Sequence, residues 1–161
     1  MPVSVRPMRA GEARRFLEIH HQSVRGLAAK DYPASVIEAW APLPITDERL
    51  QRFLQNHDNE IRLIAQVDGD PVGIGAIVVG TSELRACYVL PSAARRGVGA
   101  AIVADIERIG REHHVGELHL ESSVTAEPFY AALGYRDERR GEHTIAPVVS
   151  MAAVKMRKEL F

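Results

Sequence analysis

The chain has 161 residues, 46% hydrophobic and 25% charged, with 20 basic and 21 acidic side chains and a formal net charge of −1. This is the size and composition of one ordinary globular domain, expected to span residues 1–161 and able to bury a core without a staple. The balance of charge argues against a dedicated nucleic-acid binder, the single Cys87 rules out an intrachain disulfide and fits a cytoplasmic protein, and the longest apolar run, around IGAIVVG, is too short to span a bilayer.

The opening MPVSVRPMRAGEARR lacks the apolar core of a secretory signal, and VSVRPM within it reads as a strand. The next segment, AGEARRFLEIHHQSVRGLAA, reads as a helix with Phe16, Leu17, Val24 and Leu27 on one side. Pro33 opens a short helical piece through Val36, Ile37 and Trp40. APLPI, with two prolines, is loop. Thr46 followed by Asp47 and Glu48 is an N-cap with an acidic first turn, opening a helix to about Gln55. IRLIAQV and PVGIGAIVVG are strand-like and joined by Asp68, Gly69 and Asp70, a strong hairpin signal. ELRACYVL is a further strand, stopped by Pro91. Val98, Ile102, Ile106 and Ile109 fall on one face of a helix running from about Gly97 to His113. GELHLES is a strand, AEPFYAALG a short helix ended by Gly134, RDERR (136–140) a solvated strand edge or turn, or else a basic contact for a ligand phosphate, and VVSMAAVKM the last strand. The order is that of a mixed α/β domain with no dividing linker.

The stretch SAARRGVGAAI lies where the strand ELRACYVL passes into the long helix. A helix N-terminus carries unpaired N–H groups and about half a positive charge. Glycines there let the backbone approach a ligand, and a pyrophosphate is the natural guest, with Arg95 and Arg96 adding charge. A Walker loop would need GxxxxGK[ST], and no lysine follows. A dinucleotide loop would need GxGxxG, and the third glycine is absent. Further on, SVTAEPFYAALGY puts Phe129 and Tyr130 side by side on a short helix just after a strand, Phe129 reading first as a core aromatic.

These two segments resemble the GNAT superfamily of acyl-CoA-dependent N-acyltransferases. ELRACYVLP followed by RRGVGA is similar to that superfamily's strand and pyrophosphate loop, Q/R-x-x-G-x-G/A, over about Glu83 to Ala100. AEPFYAALGY is similar to its FYxxxGF segment, within Ser123 to Tyr135. The chain departs from the pattern at Ala94, in the Q/R position, and at Ser123, where many relatives have Asn. The resemblance implies an α/β fold with a central mixed sheet of about six to seven strands and helices on both faces. It implies an enzyme that transfers an acetyl group from acetyl-CoA, a co-substrate, to a primary amine of a small molecule or protein. No metal, nucleic acid or membrane enters that expectation, and relatives are often homodimers.

By the same resemblance, Arg95, Arg96, Gly97, Val98, Gly99 and Ala100 hold the pyrophosphate. The backbone of Cys87, Tyr88 and Val89 pairs with the pantetheine arm as an added strand, which requires the strands of Val89 and Leu118 to splay apart. Ser123 and Phe129 border the coenzyme. Tyr130, protonated at neutral pH, is the general acid for the leaving thiolate. Glu83 aligns with the strand glutamate that serves as base in the histone-acetylating branch of the family, and is otherwise a solvated strand-end charge. A carboxylate, at about 4.3, is a weak base toward a lysine-type amine at about 10.4, so a water relay is implied. His20, Tyr32, Trp40 and His143 are acceptor-side candidates, each also explained as structural. Cys87, mid-strand in an apolar run, reads as an inert thiol. The adjacent pairs His20–His21 and His113–His114 lack the i, i+4 spacing of a helical metal pair. Two other classes predict different behaviour: a coenzyme A-binding sensor without turnover, and an NAD(P)-dependent oxidoreductase.

Overall fold

A computed structural model of the chain describes residues 2–161. Its strands are β1 (Val3–Pro7), β2 (Ile61–Val67), β3 (Asp70–Val78), β4 (Glu83–Val89), β5 (Glu117–Ser123), β6 (Arg136–Ala146) and β7 (Val149–Glu159). The helices are α1 (Ala13–Ser23), α2 (Ala34–Trp40), α3 (Asp47–Gln55), α4 (Val98–Glu112) and α5 (Glu127–Ala132). The strands form one mixed sheet in the order β1-β2-β3-β4-β5-β7-β6, antiparallel throughout except at β4 and β5. This is the seven-stranded α/β sheet that the resemblance implied.

Local chemistry accounts for most boundaries. Asp68 and Gly69 both take positive φ, 52° and 83°, the two-residue turn whose twist matches that of its flanking strands. The Thr46 hydroxyl accepts from the Arg49 amide at 3.1 Å and caps α3. Gly134, at φ +97°, stops the chain after α5.

Helices cover both faces. On one, α4 and α5 pack Ile102, Ile106 and Tyr130 over Leu118, Leu120, Val154 and Met156. On the other, α1 packs Phe16, Leu17 and Ile19 over Ile64 and Ile74, and α2 packs Val36 and Ile37 against Met151. The burial of Val98, Ile102, Ile106 and Ile109 is that expected of an amphipathic α4.

One feature departs from the sequence reading and one extends it. The first helix ends in a π turn, Val24–Ala28. The wider turn slips the register by a residue, so Ala28 is buried and Leu27 only half-buried. Residues 136–140 open an 11-residue outer strand, β6, whose first nine positions are all exposed. It pairs along its length with β7 and presents a charged edge to solvent. Among the described residues, no helix is long and apolar enough to cross a membrane.

Candidate functional site

The loop between β4 and α4 is built to leave donors free. After a 3₁₀ turn at Pro91–Ala93, Arg95 takes φ +62° and Gly97 φ +81°. Among the described residues, none of the six consecutive amides from Arg95 to Ala100 donates to a backbone acceptor, and the ladder of α4 begins with Ala101 N–H to the Gly97 carbonyl at 3.0 Å. Left-handed residues alternating with others turn successive N–H groups to one side, a nest for an anion. Arg95, Arg96 and Gly97 are exposed.

The two glycines of this loop do different work. A Cβ at Gly97 would meet nothing within 4 Å, so its left-handed φ is what calls for glycine there. A Cβ at Gly99 would lie 2.9 Å from Cζ of Phe129. Gly99 is therefore small because the Phe129 ring lies against it, a reason the sequence does not disclose. Val98 is buried in the α4 core, and Ala100 is exposed on the first turn.

Beside the loop, the sheet opens. β4 and β5 share one register pair, Glu83 with His119, closed by the His119 amide donating to the Ser82 carbonyl at 3.0 Å. Beyond it the strands part. Cys87, Tyr88 and Val89 remain paired to Gly75, Ile74 and Gly73 of β3, and their other backbone edge faces the gap. The splay expected between the strands of Val89 and Leu118 is thus present.

On the α5 side of the gap, the Ser123 hydroxyl accepts from the Ala126 amide at 3.1 Å and turns the chain out of β5. Its proton remains free to donate. Tyr130 is 6% exposed, with its ring 5.0 Å from that of Phe129 and 5.8 Å from that of Tyr135. Tyr135 donates its hydroxyl to Glu107 at 2.9 Å and Tyr32 donates to the Ala152 carbonyl at 2.5 Å, so both are spent on structure. Burial, with Cys87 and Tyr88 nearby, raises the Tyr130 phenol well above its ordinary 10. It stays protonated across the neutral range. The Cys87 thiol, directed at the Gly99 carbonyl 3.7 Å away, is pushed up to about 12 by burial and is a poor nucleophile.

Glu83 lies on the other face. A bulge puts Leu84 opposite Ile77 and Ala86 opposite Ala76, leaving Arg85 as the extra residue. Leu84 and Cys87 both join the α4 core, while Glu83 shares with Tyr88 a cavity of about 450 Å³ on the α2 side. Trp40, Arg85, Glu121, Ser123 and His143 also line it. Glu83 is held by Arg85 at 2.8 Å, and the same guanidinium reaches Asp58 at 2.8 Å and Glu60 at 3.1 Å. His143 Nδ1 stands 3.2 Å from Glu121. The β4–β5 gap therefore separates the phenol of Tyr130 from the carboxylate of Glu83.

Of the acceptor-side candidates, Trp40 and His143 line the cavity. His20 stands behind Tyr88, ring to ring at 4.5 Å, and burial lowers it to about 3. Tyr32 ties the β5–α5 turn to β7. Arg140 is engaged by Glu127 and Arg136 by Glu159, in keeping with a solvated edge. Sequence reasoning missed Asp58, Arg85 and Glu121 as cavity residues, for each is an isolated charge with no spacing to mark it.

An acetyltransferase (GNAT) domain family model matches residues 28–160. A Bacillus subtilis (strain 168) protein with a provisional acetyltransferase name is 34% identical over 95 residues, 58% of this chain. The chain spans 64% of that relative's length. A solved GCN5-related N-acetyltransferase from Rhodopseudomonas palustris superposes with a TM-score of 0.89 at 26% identity, covering 99% of this chain and 96% of that one. The PaiA N-acetyltransferase of Thermoplasma acidophilum, solved with coenzyme A, shares the fold at a TM-score of 0.77 and 18% identity, with 99% of each chain covered.

Proposed function

The chain belongs to the GNAT acetyltransferase family, and from that premise we propose that, as one domain, it transfers an acetyl group from acetyl-CoA to a primary amine of a small molecule or protein. The observation that carries the reading is the run of six amides, Arg95 to Ala100, with no backbone partner among the described residues, beside a sheet opened after a single rung. Those amides fit a diphosphate: the loop is exposed, no Cβ crowds Gly97, and Arg95 and Arg96 add positive charge. That the PaiA N-acetyltransferase of the same fold was solved with coenzyme A supports coenzyme A as the class of ligand.

Each step follows from a group on the chain. The bound coenzyme supplies an activated thioester. The open edge of β4 at Cys87–Val89 offers amide and carbonyl groups to an amide-rich arm laid along it, as a strand would. A backbone N–H near Val89 stabilises the carbonyl oxygen as negative charge builds on it. Ser123 and Phe129 flank the arm. Tyr130 gives its phenolic proton to the departing sulfur. Glu83, on the acceptor side, takes the proton of the attacking amine through a water. A GNAT enzyme so arranged needs no covalent acyl-enzyme, and the inert Cys87 agrees with direct transfer.

The test is purified protein with acetyl-CoA and a panel of amines, read by free-thiol release and by the mass of the product. Amine-dependent release of one thiol per acetylated product is the expected result. Coenzyme A binding without thiol release would favour a sensor, and no calorimetric association with acetyl-CoA would overturn the reading.

A further inference from the structure

The cavity on the Glu83 face is unequally charged. Its one arginine, Arg85, is shared among Glu83, Asp58 and Glu60. Across from it, Glu121 has a single partner, His143, which neutralises it only when protonated. No lysine and no second arginine lies among the lining residues. Trp40 and Tyr88 line the same cavity, ring centroids 6.3 Å apart, and ring faces attract ammonium groups. Lys155, the cross-strand neighbour of Glu121, is turned to Glu138 at 3.5 Å, so the lining carries three carboxylates to one arginine beside two aromatic rings, a setting that suits a cation and repels an acid.

We propose that the acceptor is an amine carrying a second cationic group, the reacting nitrogen lying near Glu83 and the distal cation against Glu121, Trp40 and Tyr88. The inference rests on the reading of this cavity as the acceptor site. Register gives the spacing: His119 is the β5 residue opposite Glu83, and Glu121 is two positions further on. At the rise of a strand, that is about 7 Å along β5, and the step of about 4.8 Å from β4 to β5 brings the span from Glu83 to about 8 Å, within reach of a linear five-carbon diamine held between two carboxylates. Glu121 thereby becomes a specificity residue, acting on the distal end of the acceptor and not on the reacting atoms.

The experiment compares a linear five-carbon diamine with the five-carbon monoamine at low ionic strength. It measures kcat/KM for both and, separately, calorimetric binding of the diamine to protein saturated with coenzyme A. The diamine should be preferred about fivefold or more, a modest factor because Glu121 is half exposed. Glu121→Gln should reduce the ratio of the two kcat/KM values toward one through KM, and Glu121→Lys should invert it. A melting temperature near that of the parent for both variants confirms that they fold. If both amines are acetylated equally, or if Glu121→Gln leaves the ratio unchanged, the inference fails and the transferase reading stands. If no amine is acetylated but the diamine binds in a Glu121-dependent way, the transferase reading fails, and with it the acceptor assignment, and only the cation-binding role of Glu121 stands.

Discussion

Gly99 lies under the edge of the Phe129 ring, so close that a Cβ at position 99 would fall 2.9 Å from Cζ and 3.0 Å from Cε1. The first turn of α4 and the body of α5 are thereby locked together at the point where the unpaired amides are presented. Gly99→Ala should push the ring and the turn apart, costing about 1–3 kcal/mol of stability as overpacking does, and should weaken coenzyme A binding. Adding Phe129→Leu should recover much of both losses. Denaturant midpoints and calorimetry on the two single variants and the double variant check this coupling.

Tyr130 is assigned to proton donation and not to binding. Tyr130→Phe keeps the ring packing on Phe129 and Tyr135 and removes only the hydroxyl. Turnover should fall by about 10²–10⁴-fold, with coenzyme A affinity within about twofold of the parent. Equal loss of affinity and turnover, or full retention of turnover, would take the phenol out of the chemistry.

Glu83 is anchored by Arg85, which leaves its carboxylate fixed on the cavity side of β4. Glu83→Gln should lower kcat by about tenfold or more and change the acid limb of the pH–rate profile. An unchanged profile would assign Glu83 to structure alone. Arg85→Gln should reduce kcat less, since it frees the carboxylate without removing it.

His21 gives the fold a pH dependence. It is 2% exposed, neither ring nitrogen has a partner among the described residues, and burial lowers it to about 4. Between that value and the ordinary 6.5 the unfolded chain binds more protons than the folded one, so stability rises with pH. The contribution is complete above about pH 6.5 and is lost as pH falls toward 4, on the order of 2–3 kcal/mol. His20, lowered in the same direction, adds to it. Urea midpoints at pH 7 and pH 5 should differ, and His21→Leu should reduce the difference. A slope unaltered by His21→Leu would show that other groups carry it. Glu12, held at about 2 by Arg6, acts at lower pH, below about 4.5.

Much of the scaffold was legible because its signals are local. The Asp68–Gly69 turn, the Thr46 cap and the apolar stripe of α4 each depend on a few neighbouring residues. The extent of β6 was not, for Arg136 to Glu142 has no apolar face and is held by its hairpin with β7. In the candidate site, the loop and FYxxxGF-like segments carried most of the residues. The separation of Glu83 from Tyr130 across the sheet was hidden, because the bulge at Arg85 shifts the alternation of β4 by one position. The cavity charges Asp58, Arg85 and Glu121 come from three distant segments and only the fold collects them.

The single rung between Glu83 and His119 leaves the seven strands as two leaves, β1 to β4 and β5 to β6, stitched at one corner. A molecule that lies along the seam and bonds to its edges becomes, while it stays, a further ply of the fabric. Amide hydrogen exchange at the lips of both leaves would then slow together on loading and quicken together on release, so the protein's own rigidity would report each turnover.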